Sequence, residues 1–520
     1  MSLHCNRRLA YGIALALSSA AGGGFLIQDY RVSSGVSPAK SRYLFYRVIG
    51  YLLVLLAGVM LLTTGVAIFY DEQSFWSYLF SAVLTGSIGY ILVYKGRHEF
   101  VLVKRHLFLL TTLCWLSICL FSTIPFMLVL KQMSFVDAAF ETVSAITTTG
   151  ATVLSGLDTM PRGLLFWRAI LQWIGGVGII VMAIAILPAL KIGGMKLFKT
   201  ENSDISEKIL PRSSSLSMMI GLVYLGMSLC CMGLFFLFGM SGFDAITHGM
   251  TTVATGGFAN YDASFGHFND KPVLLWISSL FMILSALPLV LLVATVRGHK
   301  SLLIRDPQVK AFLIITLSCV ALLTWYQHFY HDRALFESLT HSLFNVVSII
   351  TTCGYASENY AAWGSLAVIL FFYLTFSGGC SGSTTGGLKI FRTQLAWLLL
   401  VKQFKLLVHP NAVWVQKYGT KPVNDQLLGS VLAFCFIYFA SIAALALGLS
   451  MYNLDFITAL TGAATAISNV GPGLGAIIGP DGNFSQLADG AKWLISIGML
   501  MGRLEILTVL LLFTPMYWRY

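Results

Sequence analysis

The sequence predicts an all-α integral membrane protein. It reads as four fused helix–short helix–loop–helix repeats with pseudo-fourfold symmetry, plus an additional N-terminal helix pair. Three observations predict this. The 520 residues are 57% apolar and only 11% charged, whereas a soluble domain is about one quarter charged. Runs close to the ~20 apolar residues of a spanning helix recur at 43–70, 76–94, 107–130, 164–190, 215–239, 273–296, 311–330, 363–400, 427–450 and 490–513. The third observation is that the segments between alternate runs resemble one another.

Mean hydropathy is +0.79, which agrees with a membrane class. The net charge of +11 does not point to nucleic acid, because of where the charges lie. Lys and Arg gather before 43 and in 95–106, 190–213, 297–310 and 389–421, while the opposite loops hold only Lys131, Arg162, Lys271 and Arg333. Basic residues accumulate on the cytoplasmic side, so the bias predicts a multi-pass chain with both termini inside. Of nine cysteines, none forms a pair in the outer loops, so no disulfide framework is implied. Zinc-type CxxC spacing is absent. Residues 1–42 form an N-terminal extension, readable as a signal-like segment, an extra helix or an inessential tail. Residues 43–103 are the extra helix pair.

Four outer segments carry the repeat. They read SFVDAAFETVSAITTTGAT (134–152), SGFDAITHGMTTVATGGFAN (241–260), FESLTHSLFNVVSIITTCGYAS (336–357) and NLDFITALTGAATAISNVGPG (453–473). Each is a short helix pattern that runs into a Thr/Gly cluster. The clusters align on Gly150, Gly257, Gly354 and Gly471, roughly one hundred residues apart. Asp137 and Asp244 stand at the same distance before the first two glycines. The repeats are therefore expected at 104–195, 196–300, 301–405 and 406–520.

Non-helical backbone survives at membrane depth only where protein covers it or water meets it. Four such segments can cover one another around an axis, giving rings of carbonyls of the kind that replace a potassium ion's hydration shell. Ser134 with Asp137, and Ser241 with Asp244, resemble N-terminal capping boxes. The short helices then end at the glycines, each bringing about half a negative charge to the axis. Thr352-Cys353-Gly354-Tyr355 resembles the potassium-channel TVGY with Cys for Val. Glu141 and His341, on the short helices, either tune the outer mouth or are packed and satisfied in place.

At this point the residues resemble the TrkH/TrkG and KtrB superfamily of potassium transporters. The resemblance covers about 43–520, through ITTTGAT (146–152), VATGGFANYD (253–262), TTCGYAS (351–357), SNVGPGLG (468–475), SGGCSGSTTGGLKI (377–390) and MGRLEILTVL (501–510). It implies filter residues Thr148, Thr149 and Gly150; Thr255, Gly256 and Gly257; Thr352, Cys353 and Gly354; and Asn469, Val470 and Gly471. The fourth triplet departs from a uniform TxG signature. The resemblance also implies a homodimer with one pore per protomer and a cytoplasmic TrkA-type regulatory ring. That ring would bind the nucleotide (ATP/ADP or NAD); this chain carries no cofactor, and potassium is its substrate. The basic segments 190–213 and 389–421 would dock the ring or simply set topology.

Two features interrupt the apolar runs. Five glycines, Gly378, Gly379, Gly382, Gly386 and Gly387, fall within 377–387. Each costs about 1 kcal/mol relative to Ala in a helix. The Walker spacing is not met, so this is expected to be an intramembrane gating loop and not a phosphate cradle. Arg503 stands within the last run, where insertion costs about 2.5–3.5 kcal/mol. It is expected to face the interior and either brace the glycine loop shut or serve packing alone. No His/Asp/Glu cluster has catalytic spacing, so an enzyme is not expected. Two transport readings remain: a gated, channel-like potassium uptake system of the cell inner membrane, and a symporter coupling potassium entry to protons or sodium.

Overall fold

A computed structural model describes residues 38–97, 104–185, 213–411, 415–419 and 421–519. Most of the expected 1–42 extension and of the basic 190–213 segment lies outside the described residues. The described residues are mostly helical; their β-structure is a two-residue hairpin, Lys417–Tyr418 with Lys421–Pro422, and an isolated bridge, Ser377 to Leu388.

Helices α1 (Pro38–Phe69) and α2 (Phe75–Lys95) pair with each other outside the repeats. The first repeat holds α3 (Lys104–Val129), α4 (Phe135–Ile146) and α5 (Arg162–Ala185). The second holds α6 (Ser213–Leu237), α7 (Gly242–Val253), α8 (Pro272–Ser285) and α9 (Leu289–Val296). A short α10 (Lys300–Arg305) leads to the third, α11 (Pro307–Tyr330), α12 (Leu335–Ile350), α13 (Ser365–Phe376) and α14 (Ile390–Val408). The fourth holds α15 (Asp425–Ser450), α16 (Phe456–Ser468), α17 (Asp489–Arg503) and α18 (Ile506–Leu512), followed by α19 (Pro515–Arg519).

Among the described residues, six helices are long and apolar enough to cross a membrane, or up to eight if each bent pair counts as one span. Their outer faces expose apolar side chains, such as Phe436 and Leu447 on α15. Lipid tolerates that surface, because no water there demands polar groups.

The short helices α4, α7, α12 and α16 behave differently. At 12 residues, α4 is about 18 Å long and cannot cross a ~30 Å core. Its residues from Ala138 to Ile146 are all buried. Ser134 caps α4 by accepting from the Asp137 N–H, Ser241 caps α7 from Asp244, and Asp455 caps α16 from Thr458. Each cap satisfies an amide that the first helical turn leaves unpaired.

Unbroken spans were expected at 273–296 and 490–513, with a break only in the third repeat. The structure instead breaks the second helix in three repeats. The chain turns by 100° between α8 and α9, and by 113° between α17 and α18. Pro288 explains the first break, since it donates no hydrogen bond and restricts the residue before it. At the second, Glu505 takes a left-handed backbone with φ 66°, and Arg392 holds its carboxylate at 2.7 Å.

A candidate ion filter and the loop against it

Each short helix ends in the same turn. In the first repeat Thr148 N–H donates to Ala145 O at 3.1 Å, and Thr149 N–H donates to Ser144 O at 2.9 Å. That pair of bonds is the Schellman helix end. The second bond recurs from Gly256 to Thr251 (2.9 Å), Cys353 to Ser348 (2.8 Å) and Val470 to Thr465 (3.1 Å). The motif needs a left-handed residue, usually glycine. Here Thr148, Thr255, Thr352 and Asn469 take it, with φ of 52°, 50°, 55° and 56°. Asn tolerates this region, but three β-branched threonines in it are strained, at about 1–3 kcal/mol each.

Two residues further on, Gly150, Gly257, Gly354 and Gly471 also have positive φ, from 78° to 109°. Their bare Cα atoms are what let the four strands meet. A Cβ on Gly150 would land 2.4 Å from the Gly256 carbonyl oxygen of the next repeat. On Gly257 it would meet Cys353 O at 2.0 Å, on Gly354 Val470 O at 2.0 Å, and on Gly471 Thr149 O at 2.7 Å. The sequence of contacts runs one, two, three, four and back to one. Eight of the twelve residues expected in the filter thus form a closed ring of four glycines and four carbonyls, and the other four, Thr148, Thr255, Thr352 and Asn469, are the left-handed residues that precede it.

The glycine-rich segment lies against the helix end of this ring. Gly386 N–H donates to Thr352 Oγ1 at 2.7 Å, and the hydroxyls of Thr384 and Thr255 stand 3.2 Å apart. Gly386 has no room for a side chain, since its Cβ would fall 2.3 Å from Ser468 O. Gly378 and Gly379 approach Gly386 O and Ala286 O at 2.2 and 2.8 Å in the same sense. Gly382 and Gly387 have φ of 80° and 65°. The break between α8 and α9 receives the loop: Cys380 N–H donates to Ala286 O at 2.9 Å, and Leu289 N–H to Gly382 O at 3.1 Å. Backbone groups freed by one broken helix are thus satisfied by another.

Arg503 is fully buried, and Nη1 donates to Thr384 O at 3.0 Å while Nη2 donates to Gly175 O at 3.2 Å. It ties the loop to the first repeat. Its neighbour Glu505 pairs with Arg392 and not with Arg503. Lys389 also donates to the loop, at Thr385 O and at Thr385 Oγ1.

Glu141 and His341 are both held in place. Glu141 accepts from Arg168 Nε at 2.9 Å and from the Val153 N–H at 3.0 Å. His341 Nδ1 lies 2.8 Å from Ser357 Oγ. In the adjoining outer loop burial pushes the Glu358 carboxyl up, but Arg333, bonded to both its oxygens, and His341 hold it below its usual range. The Asp137 carboxylate accepts from the hydroxyl of the capping Ser134 at 2.9 Å and from Lys492 at 2.6 Å. The Asp244 carboxylate accepts from the hydroxyl of the capping Ser241 at 2.7 Å and from Asn260 and Tyr261. Among the described residues no group of His, Cys, Asp and Glu could hold a metal ion.

The family described as TrkH, cation transport protein, matches residues 81–520. The chain belongs to the TrkH family. That is a family of membrane transporters and not of enzymes. The chain is 54% identical over 413 residues to the Trk system potassium uptake protein TrkI of Halomonas elongata, covering 79% of this chain and 84% of that one. It is 36% identical over 484 residues to the Trk system potassium uptake protein TrkH of Vibrio parahaemolyticus, covering 91% and 98%. The crystal structure of the potassium transporter TrkH from Vibrio parahaemolyticus superposes with a TM-score of 0.84 at 34% identity, covering 92% of this chain and 99% of that one.

Proposed function

We propose that the chain is the pore-forming subunit of a Trk-type potassium uptake system in the cytoplasmic membrane, with both termini inside. Potassium enters through a gated, channel-like path. The closed ring of glycines and carbonyls carries this reading. Backbone oxygens from four strands offer a dehydrated alkali ion the ligands that its water shell supplied. The four short helices end at the ring, and each helix end acts like about half a negative charge. An inside-negative potential then draws cations inward, by about 2.3 kcal/mol per charge per 100 mV. The names of the TrkI and TrkH relatives point to the same ion.

The loop 377–387 is the gate, and its contacts with Thr352, Thr255, Ser468 and Arg503 support a closed position at the inner end of the filter. Opening it falls to a cytoplasmic, nucleotide-binding ring of TrkA type, docked on the basic segments 190–213 and 389–421 of a homodimer. The test is uptake of rubidium and sodium by cells lacking their own potassium importers. Rubidium uptake should exceed sodium uptake, and Gly354→Ser should abolish the difference. Equal uptake of the two ions by the unaltered chain would reject the reading.

A further inference from the structure

Helix α5 reaches out of its own repeat with two buried side chains one turn apart, Arg168 and Gln172. Arg168 Nη1 donates to Ala259 O at 2.9 Å, and its guanidinium lies over the Phe258 ring at 4.1 Å. Gln172 goes deeper. Its Nε2 donates to Gly256 O at 2.6 Å, and its Oε1 accepts from the Phe258 N–H at 3.1 Å. One amide thus holds the backbone on either side of Gly257. The approach depends on Gly256 having no side chain, since a Cβ there would lie 2.4 Å from Gln172 Oε1.

The oxygen held in this way belongs to the ring, for Gly256 O is the atom that Gly150 touches. The fourth repeat lacks the device. Gly175 and Gly502 play matching parts, each placing its Cβ position 2.1 Å from the carbonyl of Ile146 or Ile467. Three residues before Gly175 stands Gln172; three before Gly502 stands Met499, which has no donor. There Met499 only lends its main-chain oxygen to Asn469 Nδ2, at 2.9 Å.

We infer that Gln172 is a positioning residue for ion discrimination, acting through the Gly256 carbonyl at the junction of repeats one and two. The inference rests on the filter reading above. A smaller ion is bound well only if the oxygens around it close in. An oxygen already committed to a buried amide donor resists that closure, and the donor also draws off part of its charge. Without the amide, Gly256 O can follow a sodium ion inward.

The experiment measures rubidium and sodium uptake in importer-deficient cells for the unaltered chain, Gln172→Leu, Gln172→Glu and Gly354→Ser. Gln172→Leu should lower the rubidium-to-sodium ratio about tenfold, the size expected for a lost buried hydrogen bond. Gln172→Glu has nearly the same shape, so it keeps the fold if the leucine variant does not reach the membrane. It still accepts from Phe258 but sets a carboxylate oxygen against Gly256 O, so the ratio should fall there too. A purely structural role would lower uptake of both ions together and leave the ratio alone. A shifted ratio for Gly354→Ser with unchanged ratios for both Gln172 variants would overturn this inference and spare the filter. Unchanged ratios in all three would overturn the filter reading itself.

Discussion

At the scale of single residues, Arg503 shows how a costly group becomes a tie. An arginine at mid-span costs about 2.5–3.5 kcal/mol to insert, so its donors must find acceptors. They find two carbonyls, on the glycine loop and on α5. Losing a charged donor to a buried carbonyl removes about 1.5–3 kcal/mol, enough to shift a closed loop toward opening by roughly tenfold or more. Arg503→Ala should therefore raise basal rubidium uptake. Arg503→Lys should raise it less, since one ammonium reaches fewer acceptors than the guanidinium fork. Basal uptake equal to that of the unaltered chain in both variants would remove Arg503 from the gate. The sequence exposes such a residue because a lone charge in an apolar run stands out. Arg168 sits in an equally apolar run and stands out in the same way. Gln172 carries no comparable signal, because its partners lie 84 and 86 positions away.

At the scale of elements, the short helices and their ends were legible because one local pattern, a short amphipathic helix running into glycine, occurs four times. The two extra helix breaks were not. Residues 273–296 and 490–513 stay apolar through the bend, and hydropathy does not register a change of direction. What makes the break at Pro288 tolerable is the loop of another repeat, which occupies its freed carbonyl at Ala286. That support is visible only in three dimensions. The mutual support also sets an expectation for the loop. Shortening 378–387 removes the contacts with Thr352, Thr255 and Ser468 but leaves the glycine ring intact. Basal rubidium uptake should rise while the rubidium-to-sodium ratio holds. Unchanged uptake would show that the segment does not obstruct the path.

At the scale of the whole molecule, four strands of one chain must close a circle that begins in one repeat and ends in another. Each junction between repeats is stitched. Gly156 N–H donates to Asp262 at 2.8 Å between repeats one and two, and Gly266 N–H to Ala356 O at 3.1 Å between two and three. Arg392 pairs with Glu505 between three and four, while Phe484 N–H to Thr152 O and Lys492 to Asp137 close four onto one. Such a ring has no slack to share, so the harm of an added methyl should follow the local gap. Alanine at any of the four glycines suffers a similar backbone penalty, about 1–2 kcal/mol for the left-handed region, because all four have positive φ. The difference lies in the clash. The gap is 2.0 Å at Gly257 and Gly354, 2.4 Å at Gly150 and 2.7 Å at Gly471. Rubidium uptake at matched membrane abundance should therefore fall most for Gly257→Ala and Gly354→Ala, less for Gly150→Ala and least for Gly471→Ala. If Gly471→Ala were the most damaging of the four, the repeats would not meet as a sterically closed circle, and the oxygens at its rim would have to be held by something other than their neighbours' glycines.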